Sequence, residues 1–118
     1  SRAGTTLPQR GRRVMAWVFL LVAGLFEIGW AIGLKYTDGF TKFWPSVLTI
    51  IAMVISMALL AQAVREIPVG TGYAIWTGIG SVGAAALGIL LFAEPVTAAR
   101  IFFLAMIVSG ILGLKFAA

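Results

Sequence analysis

The sequence predicts an all-α integral membrane protein with four transmembrane helices, and composition and charge placement carry this prediction. Of the 118 residues, 61% are hydrophobic and 11% are charged, whereas a soluble domain carries about 25% charged residues. The charges cluster at the amino terminus and at three short breaks. The apolar segments between them approach the roughly 20 residues that a helix needs to cross a bilayer. Their residues do not alternate between apolar and polar, which excludes the strands of a membrane barrel.

The breaks define the helices in chain order, with charged residues in each break and a proline at or just before each later helix start. The charged residues of the three breaks are Lys35, Asp38 and Lys42, then Arg65 and Glu66, then Glu94 and Arg100. The prolines are Pro45, Pro68 and Pro95. We therefore predict helices near residues 15–35, 43–64, 69–92 and 97–116. Because the breaks are short, consecutive helices should be antiparallel neighbours.

The first 14 residues differ from the rest, since they are rich in Gly, Pro, Thr and Arg and show no periodicity. We interpret residues 1–14 as a flexible extension and residues 15–118, from Met15, as the four-helix unit. A cleaved signal peptide is rejected because the first apolar segment is longer than a leader requires. It also holds an acidic residue, Glu27, at its middle.

Charge and missing residue types exclude several function classes. The net charge is +5, but four of the nine cations lie in the first 13 residues, so nucleic-acid binding is not supported. The chain has no Cys and no His, which excludes disulfides, Cys/His zinc sites, haem and thiol or histidine catalysis. Four spans leave no room for a soluble catalytic domain, so we expect no enzyme activity and no cofactor.

Glu27 is the single ionisable residue of residues 14–34 and lies in the interior of the first predicted span. An acidic residue at the middle of a membrane helix costs about 2.5–3.5 kcal/mol on insertion scales. No Lys, Arg or His lies in the interior of any span to pair with it, so it either takes a proton or binds a cation from outside. A carboxyl group that exchanges these two ligands predicts a proton-coupled antiporter. The alternative is a protonated structural residue that bonds a neighbouring helix.

Other residues fit a cation site near Glu27. Gly24 and Trp30 share its helix face, where Gly24 leaves room and Trp30 offers an indole N–H and a π face. Ordinary close packing is the alternative for Gly24. On the third helix, Tyr73 and Trp76 lie one turn apart, and aromatic faces attract cations.

The glycines of the third helix and Ser56 of the second helix each allow two interpretations, one functional and one structural. Gly78 and Gly80 permit a bend in the third helix, or serve as packing notches. Ser56 places a hydroxyl at mid-depth of the second helix, although such a serine often bonds the carbonyl four residues earlier. The fourth helix carries small residues at a spacing of four, which we assign to dimerisation. These are Ala105, Ser109 and Gly113.

Four segments together resemble the small multidrug resistance family of proton-coupled exporters, over essentially all of residues 15–118. They are GLFEIGWA at 24–31, LKYTDGFT at 34–41, PVGTGYAIWTGIG at 68–80 and GLK at 113–115. Within the family, Trp30 and the ending at Lys115 are more similar to the guanidinium exporter subtype than to the exporters of quaternary ammonium drugs. The resemblance implies a multi-pass protein of the bacterial plasma (inner) membrane.

The resemblance also implies a mechanism and partners. An antiparallel, dual-topology homodimer would export one guanidinium ion against two protons by alternating access, with both Glu27 carboxylates in one site. Ser56 and Trp30 would orient these carboxylates by hydrogen bonds. Tyr73 would gate access to the site and form a hydrogen bond in it, and Trp76 would line the pocket. Lys115, for which snorkelling to the interface is the default reading, would be a subtype residue near the exit.

The balance of cations across the membrane agrees with dual topology. Without residues 1–14, Arg65 and Lys115 lie on one side and Lys35, Lys42 and Arg100 on the other, which is no meaningful bias. The four arginines of the extension would favour one orientation, which is the one departure from the family pattern and leaves open whether residues 1–14 are native. Three alternatives stay open: export of quaternary ammonium or other lipophilic cations, a passive cation channel, and a non-transporting membrane partner.

Overall fold

The computed structural model describes residues 9–117, which form an all-α chain of four helices joined by short turns. The helices are α1 (Gln9–Thr37), α2 (Phe43–Ala63), α3 (Val69–Phe92) and α4 (Ala98–Ala117). Each is long and apolar enough to cross a membrane. The prediction of four membrane-spanning helices is therefore confirmed.

The helix bounds agree with the prediction to within two residues, as at the α1 end (Thr37 rather than 35), except at the start of the chain. α3 has the predicted bounds, and α2 and α4 differ from theirs by one residue at one or both ends. α1 begins at Gln9 rather than residue 15, so the predicted boundary is wrong there. Residues 9–14 contain three arginines, which are good helix formers, and no proline, and the single Gly11 weakens the helix without ending it. Residues 1–8 of the predicted extension lie outside the described residues.

The turn between α1 and α2 explains why so short a break reverses the chain. Asp38, Gly39 and Phe40 have φ values of 50°, 70° and 65°, in the left-handed region. The Thr37 hydroxyl donates to the Leu34 carbonyl (2.8 Å) and accepts from the Phe40 N–H (3.1 Å). A single buried threonine thus closes the end of α1 and fixes the direction in which the chain leaves it.

The helices form a thin layer in which α1 lies between α2 and α3, and α4 packs against α3. The described part of the chain measures 49 × 37 × 18 Å. Its buried hydrophobic residues come from α1, the end of α2, the α2–α3 turn and α3: Ala16, Leu20, Ala23, Ala63, Ile67, Ile75 and Trp76. None of the described residues of α4 is buried. The packed interior therefore belongs to the first three helices.

One end of the layer gathers the start of α1, the α2–α3 turn and the end of α4. Arg12 Nε lies 3.7 Å from Glu66 Oε1, and Lys115 Nζ lies 4.6 Å from the centre of the Trp17 ring. We call this the basic end, because its described charged residues are five cations and one anion. They are Arg10, Arg12, Arg13, Arg65, Lys115 and Glu66. The sidedness assumed in the count of cations is thereby confirmed for the single chain.

Candidate functional site

Glu27 lies in the middle of α1, far from both ends of the layer. Ten residues separate it from Trp17 and eight from Lys35, which corresponds to about 15 Å and about 12 Å of helix. The side chain is half-buried. Neither of the two ion pairs among the described residues involves it. The carboxyl group therefore sits at membrane depth without a cationic partner among residues 9–117.

Gly80 of α3 makes the space that the Glu27 carboxyl occupies. A Cβ atom added at Gly80 would lie 2.5 Å from Glu27 Oε1 and 2.7 Å from its Cγ, closer than carbon and oxygen atoms can approach. Any larger residue at this position would push the carboxyl group away. The contact gives Gly80 a defined function in this structure, since the bare backbone of α3 forms one wall of the site.

Three polar atoms on α1 and α3 are buried and have no hydrogen-bond partner among the described residues. They are Glu27 Oε1, Trp30 Nε1 and Thr77 Oγ1. Buried polar groups are normally satisfied, and an unmet group needs an explanation such as a bound ion or water. The set contains an acceptor, a donor and a hydroxyl that can do either. These atoms are available to a polar guest.

Thr77 is a site residue that the sequence reasoning missed. It lies four residues after Tyr73 and three before Gly80, so all three share one face of α3. This spacing was the available signal. A serine or threonine in a membrane helix often bonds its own backbone, as Ser81 does with the Thr77 carbonyl at 2.7 Å. Thr77 Oγ1 makes no such bond.

Ser56 ties the first three helices together beside the site. Its fully buried hydroxyl donates to the Ala23 carbonyl of α1 at 2.6 Å and accepts from Trp76 Nε1 of α3 at 2.9 Å. Ala23 lies one helical turn before Glu27, at the position whose carbonyl an α-helix pairs with the Glu27 N–H. The alternative that Ser56 bonds the carbonyl four residues earlier on its own helix is therefore wrong.

These bonds differ from the ones that the family resemblance implies for Ser56 and Trp30. The hydroxyl of Ser56 has one proton, and that proton points to Ala23 rather than to Glu27. Trp30 Nε1 has no partner among the described residues. In this structure, Ser56 acts on Glu27 through the backbone of α1, and direct bonds to the carboxyl group stay a prediction.

Tyr73 and Trp76 are in contact but differ in exposure. Their ring centres lie 5.5 Å apart at 47°. Trp76 is 6% exposed and belongs to the core, whereas Tyr73 is 56% exposed. Trp76 is thus fixed by Ser56 and by packing, while the Tyr73 ring is largely exposed and contacts only the edge of this core through Trp76. The roles of a wall for Trp76 and a gate for Tyr73 stay predictions.

The glycines Gly24 and Gly78 are packing positions in this structure. A Cβ atom at Gly24 would lie 2.7 Å from Ile79 Cγ2, so Ile79 of α3 fills the room that we expected beside Glu27. A Cβ atom at Gly78 would lie 2.8 Å from the Ile111 side chain of α4. α3 runs as one helix through Gly78 and Gly80. Close packing, the alternative reading, therefore describes both contacts, and the predicted flexibility stays a prediction.

The small residues of α4 point away from α3. Ile107 and Ile111 face Gly78, and Ala105, Ser109 and Gly113 lie on the opposite face at a spacing of four. Ser109 bonds the Ala105 carbonyl at 2.8 Å, and a Cβ atom at Gly113 would meet nothing within 4 Å. The stripe is therefore uncovered within the chain and open to another helix.

The arrangement can hold a proton or a small cation at Glu27. Low polarity around the carboxyl group strengthens its attraction for a positive ligand and penalises an unpaired negative charge. The Trp30 indole, on the same face of α1 as Glu27, offers a donor, and the Thr77 hydroxyl, on the face of α3 that carries Gly80, offers a donor or an acceptor. No group of three His, Cys, Asp or Glu residues that could hold a metal ion occurs in the described part of the chain.

Comparison with known proteins assigns the family. The model of the family described as Small Multidrug Resistance protein matches residues 15–107. A protein of Salmonella typhimurium named guanidinium exporter is 61% identical over 104 residues, which cover 88% of this chain and 99% of that protein. Proteins with the same name from Citrobacter freundii and Escherichia coli K12 are 59% and 57% identical over 101 residues, covering 86% of this chain and 96% of each relative. The chain is therefore a multi-pass bacterial membrane protein and belongs to the small multidrug resistance family.

Proposed function

We propose that the protein exports guanidinium ion across the bacterial inner membrane in exchange for protons. The observation that carries this proposal is the Glu27 carboxyl group, seated against Gly80 at membrane depth with a buried oxygen that no described residue satisfies. Such a group requires a positive ligand. The names of relatives at 57–61% identity identify guanidinium as that ligand.

The chemistry of guanidinium suits the site. The ion is planar, keeps its charge above pH 12 and donates parallel hydrogen bonds to a carboxylate. Because it cannot lose its charge, it cannot cross lipid unaided. A small site lined by polar groups rejects a bulky apolar cation, which would leave those groups unpaired. The buried hydroxyl of Thr77 adds an acceptor that guanidinium can use and a quaternary ammonium ion cannot.

Exchange follows from competition at one group. A proton and a guanidinium ion both need the Glu27 oxygens, so binding of one expels the other. Two copies of the chain would bring two such carboxyl groups to one site, and one guanidinium ion would be exchanged for two protons. Tyr73 at the exposed edge of the site would gate it, and Gly78 and Gly80 would allow α3 to move between the two access states.

An antiparallel, dual-topology homodimer supplies the enclosure that a single chain lacks. One layer of helices 18 Å thick cannot surround a solute pathway. The uncovered stripe of α4 offers a contact surface for the second copy. Among residues 15–118, two cations lie at the basic end and three at the other end, so the positive-inside rule allows both insertions.

Flux measurements in liposomes test this function. We expect an outward guanidinium gradient to drive protons inward, and Glu27→Gln to abolish both fluxes. Asp38→Asn is the matched control, because it removes a carboxylate in the exposed α1–α2 turn, at a left-handed position that asparagine tolerates. Guanidinium flux that moves no protons would indicate a passive channel. Full exchange in Glu27→Gln would refute the proposal.

Substrate competition separates guanidinium export from drug export. We expect guanidinium to compete with itself for transport, and tetraphenyl or long-chain ammonium cations to have no effect at equal concentration. Strong competition by these cations together with weak guanidinium flux would instead identify an exporter of lipophilic cations.

A further inference from the structure

Two adjoining cavities at the basic end lie outside the Glu27 site. One, of about 560 Å³, is lined by Arg13, Trp17, Glu66, Ile67, Pro68 and Lys115. The other, of about 580 Å³, is an apolar groove between α1, α3 and α4 whose lining includes Val18, Leu21, Ile79, Leu112 and Phe116. Trp17 and Lys115 line both. We call the first the head cavity and the second the tail groove.

The head cavity is positively charged. Arg13 and Lys115 both line it, and Glu66 is the one carboxylate among its described lining residues. Glu66 lies 3.7 Å from Arg12, a further cation outside the lining, which offsets its charge. Lys115 rests over the Trp17 ring at 4.6 Å, so the indole holds the ammonium group at the opening between the two cavities. An anion in this cavity would therefore meet two cations.

The tail groove is apolar and open to the side. Val18, Leu21 and Leu112 are 44%, 55% and 53% exposed. It runs along α1 from Val14 to Leu21, seven residues or about 10 Å into the apolar layer from the basic end. Its length and position therefore fit a hydrocarbon chain that enters from the membrane interface.

We propose that the head cavity and the tail groove together bind an anionic phospholipid. The phosphate would lie between Arg13 and Lys115, and the first carbons of one acyl chain would fill the groove below Trp17. A charged cavity that continues into an apolar groove matches a molecule with a charged head and an apolar tail, and basic pockets between membrane helices bind such heads. A second protein copy would need no cationic cavity at the end of this groove.

The start of α1 supplies one of the two cations of this lipid site. Because α1 is helical from Gln9, it carries Arg13 to the level of Glu66 and Lys115. The proposal does not rest on guanidinium export. Its residues are apart from Glu27, so loss of lipid binding and loss of exchange can be measured separately.

Native mass spectrometry of the detergent-purified full chain tests the headgroup. We expect dioleoyl phosphatidylglycerol to bind more tightly than dioleoyl phosphatidylcholine. Arg13→Gln or Lys115→Gln should each weaken phosphatidylglycerol binding about fivefold, and the double variant about 25-fold. Lys35→Gln is the matched control, because Lys35 also rests over an aromatic ring, Phe92 at 5.6 Å, but at the other end. Equal binding of the two lipids, or an unaffected double variant, would overturn the proposal.

Two further measurements test the tail groove. Glycerol 3-phosphate, which has the charged head without acyl chains, should fail to displace the lipid at equal concentration, and displacement would contradict a groove-bound chain. The chain has no cysteine, so Val18→Cys adds a single thiol inside the groove. We expect no disulfide between two copies under oxidation in membranes. A cross-link would show that a second copy, and not lipid, covers the groove.

Discussion

α1 and α4 both pack on α3 at glycine positions, but only α1 contributes buried residues to the core. α1 places Glu27 against Gly80, and its core residue Ala23 is bonded to Ser56 of α2. α4 places Ile111 against Gly78 and has no buried residue among those described. A side chain packed against a glycine of α3 thus forms the Glu27 site on the α1 side, whereas on the α4 side it leaves a helix whose outer face is exposed.

The difference separates what one chain does from what needs a second. The carboxyl group, its glycine wall and its supporting hydrogen bonds come from α1, α2 and α3 of one chain. The outer face of α4 has no structural partner in that chain. Changes around Glu27 should therefore alter ligand binding, whereas changes on the outer face of α4 should alter association and leave the fold of the chain intact.

The largest effect among changes to these packing positions is expected from Gly80→Ala. The new methyl group would displace the Glu27 carboxyl, and overpacking of this kind costs about 1–3 kcal/mol. Guanidinium affinity should fall between about 5-fold and about 150-fold, measured by calorimetry in detergent. Gly29→Ala is the control, since a Cβ atom there meets nothing within 4 Å. An unchanged affinity in Gly80→Ala would mean that the carboxyl group does not bind its ligand in this position.

A smaller effect, on stability, is expected from Ser56→Ala, which leaves the buried Trp76 N–H without its hydrogen-bond acceptor. We expect the free energy of unfolding to fall by about 1–2 kcal/mol, because a buried donor loses its acceptor. Titration with dodecyl sulfate measures this. Trp76→Phe in the Ser56→Ala background should cost less than Trp76→Phe alone, since the bond is already gone. Ser81→Ala, which removes an exposed bond, should stay within about 0.5 kcal/mol of wild type. Equal costs for Ser56→Ala and Ser81→Ala would contradict the bridging role.

The smallest effect is expected from Gly113→Leu on the outer face of α4. The side chain has free space in the single chain, so the fold should be unchanged. Close helix contact between two copies would be lost, so the dissociation constant of the dimer should rise about tenfold. The yield of chemically cross-linked dimer at a series of protein concentrations measures this. Val108→Phe, also exposed on α4 but outside the stripe, should leave the dimer intact. A dimer that withstands Gly113→Leu would remove the stripe from the interface.

The fold was largely predictable because the membrane imposes its own pattern. Charges are costly inside spans and, apart from Glu27, lie near the span ends, so residues such as Lys42 and Arg65 mark the helix ends directly. The start of α1 was missed because a helix that continues beyond the bilayer needs no apolar residues. Arg12 and Arg13 therefore read as an extension, although they propagate the helix.

The site was predictable as a set of residue types and less so as a set of contacts. Glu27 is evident from the cost of an acid in a membrane. The partners of Ser56 depend on how α1, α2 and α3 approach each other, and a hydroxyl that reaches another helix looks the same in sequence as one that bonds its own. The space beside Gly24 was misjudged for the same reason, since Ile79 fills it from a different helix.

The most direct test of the account is guanidinium binding to the wild-type protein as a function of pH. Protonation of Glu27 removes the charge that guanidinium needs, so the affinity should fall as the pH is lowered. Where the carboxyl groups are mostly protonated, Kd should rise about tenfold per pH unit for one displaced proton and about a hundredfold for two. Asp38→Asn should keep this slope. A Kd that does not change with pH would contradict the claim that proton and guanidinium compete for one carboxyl group.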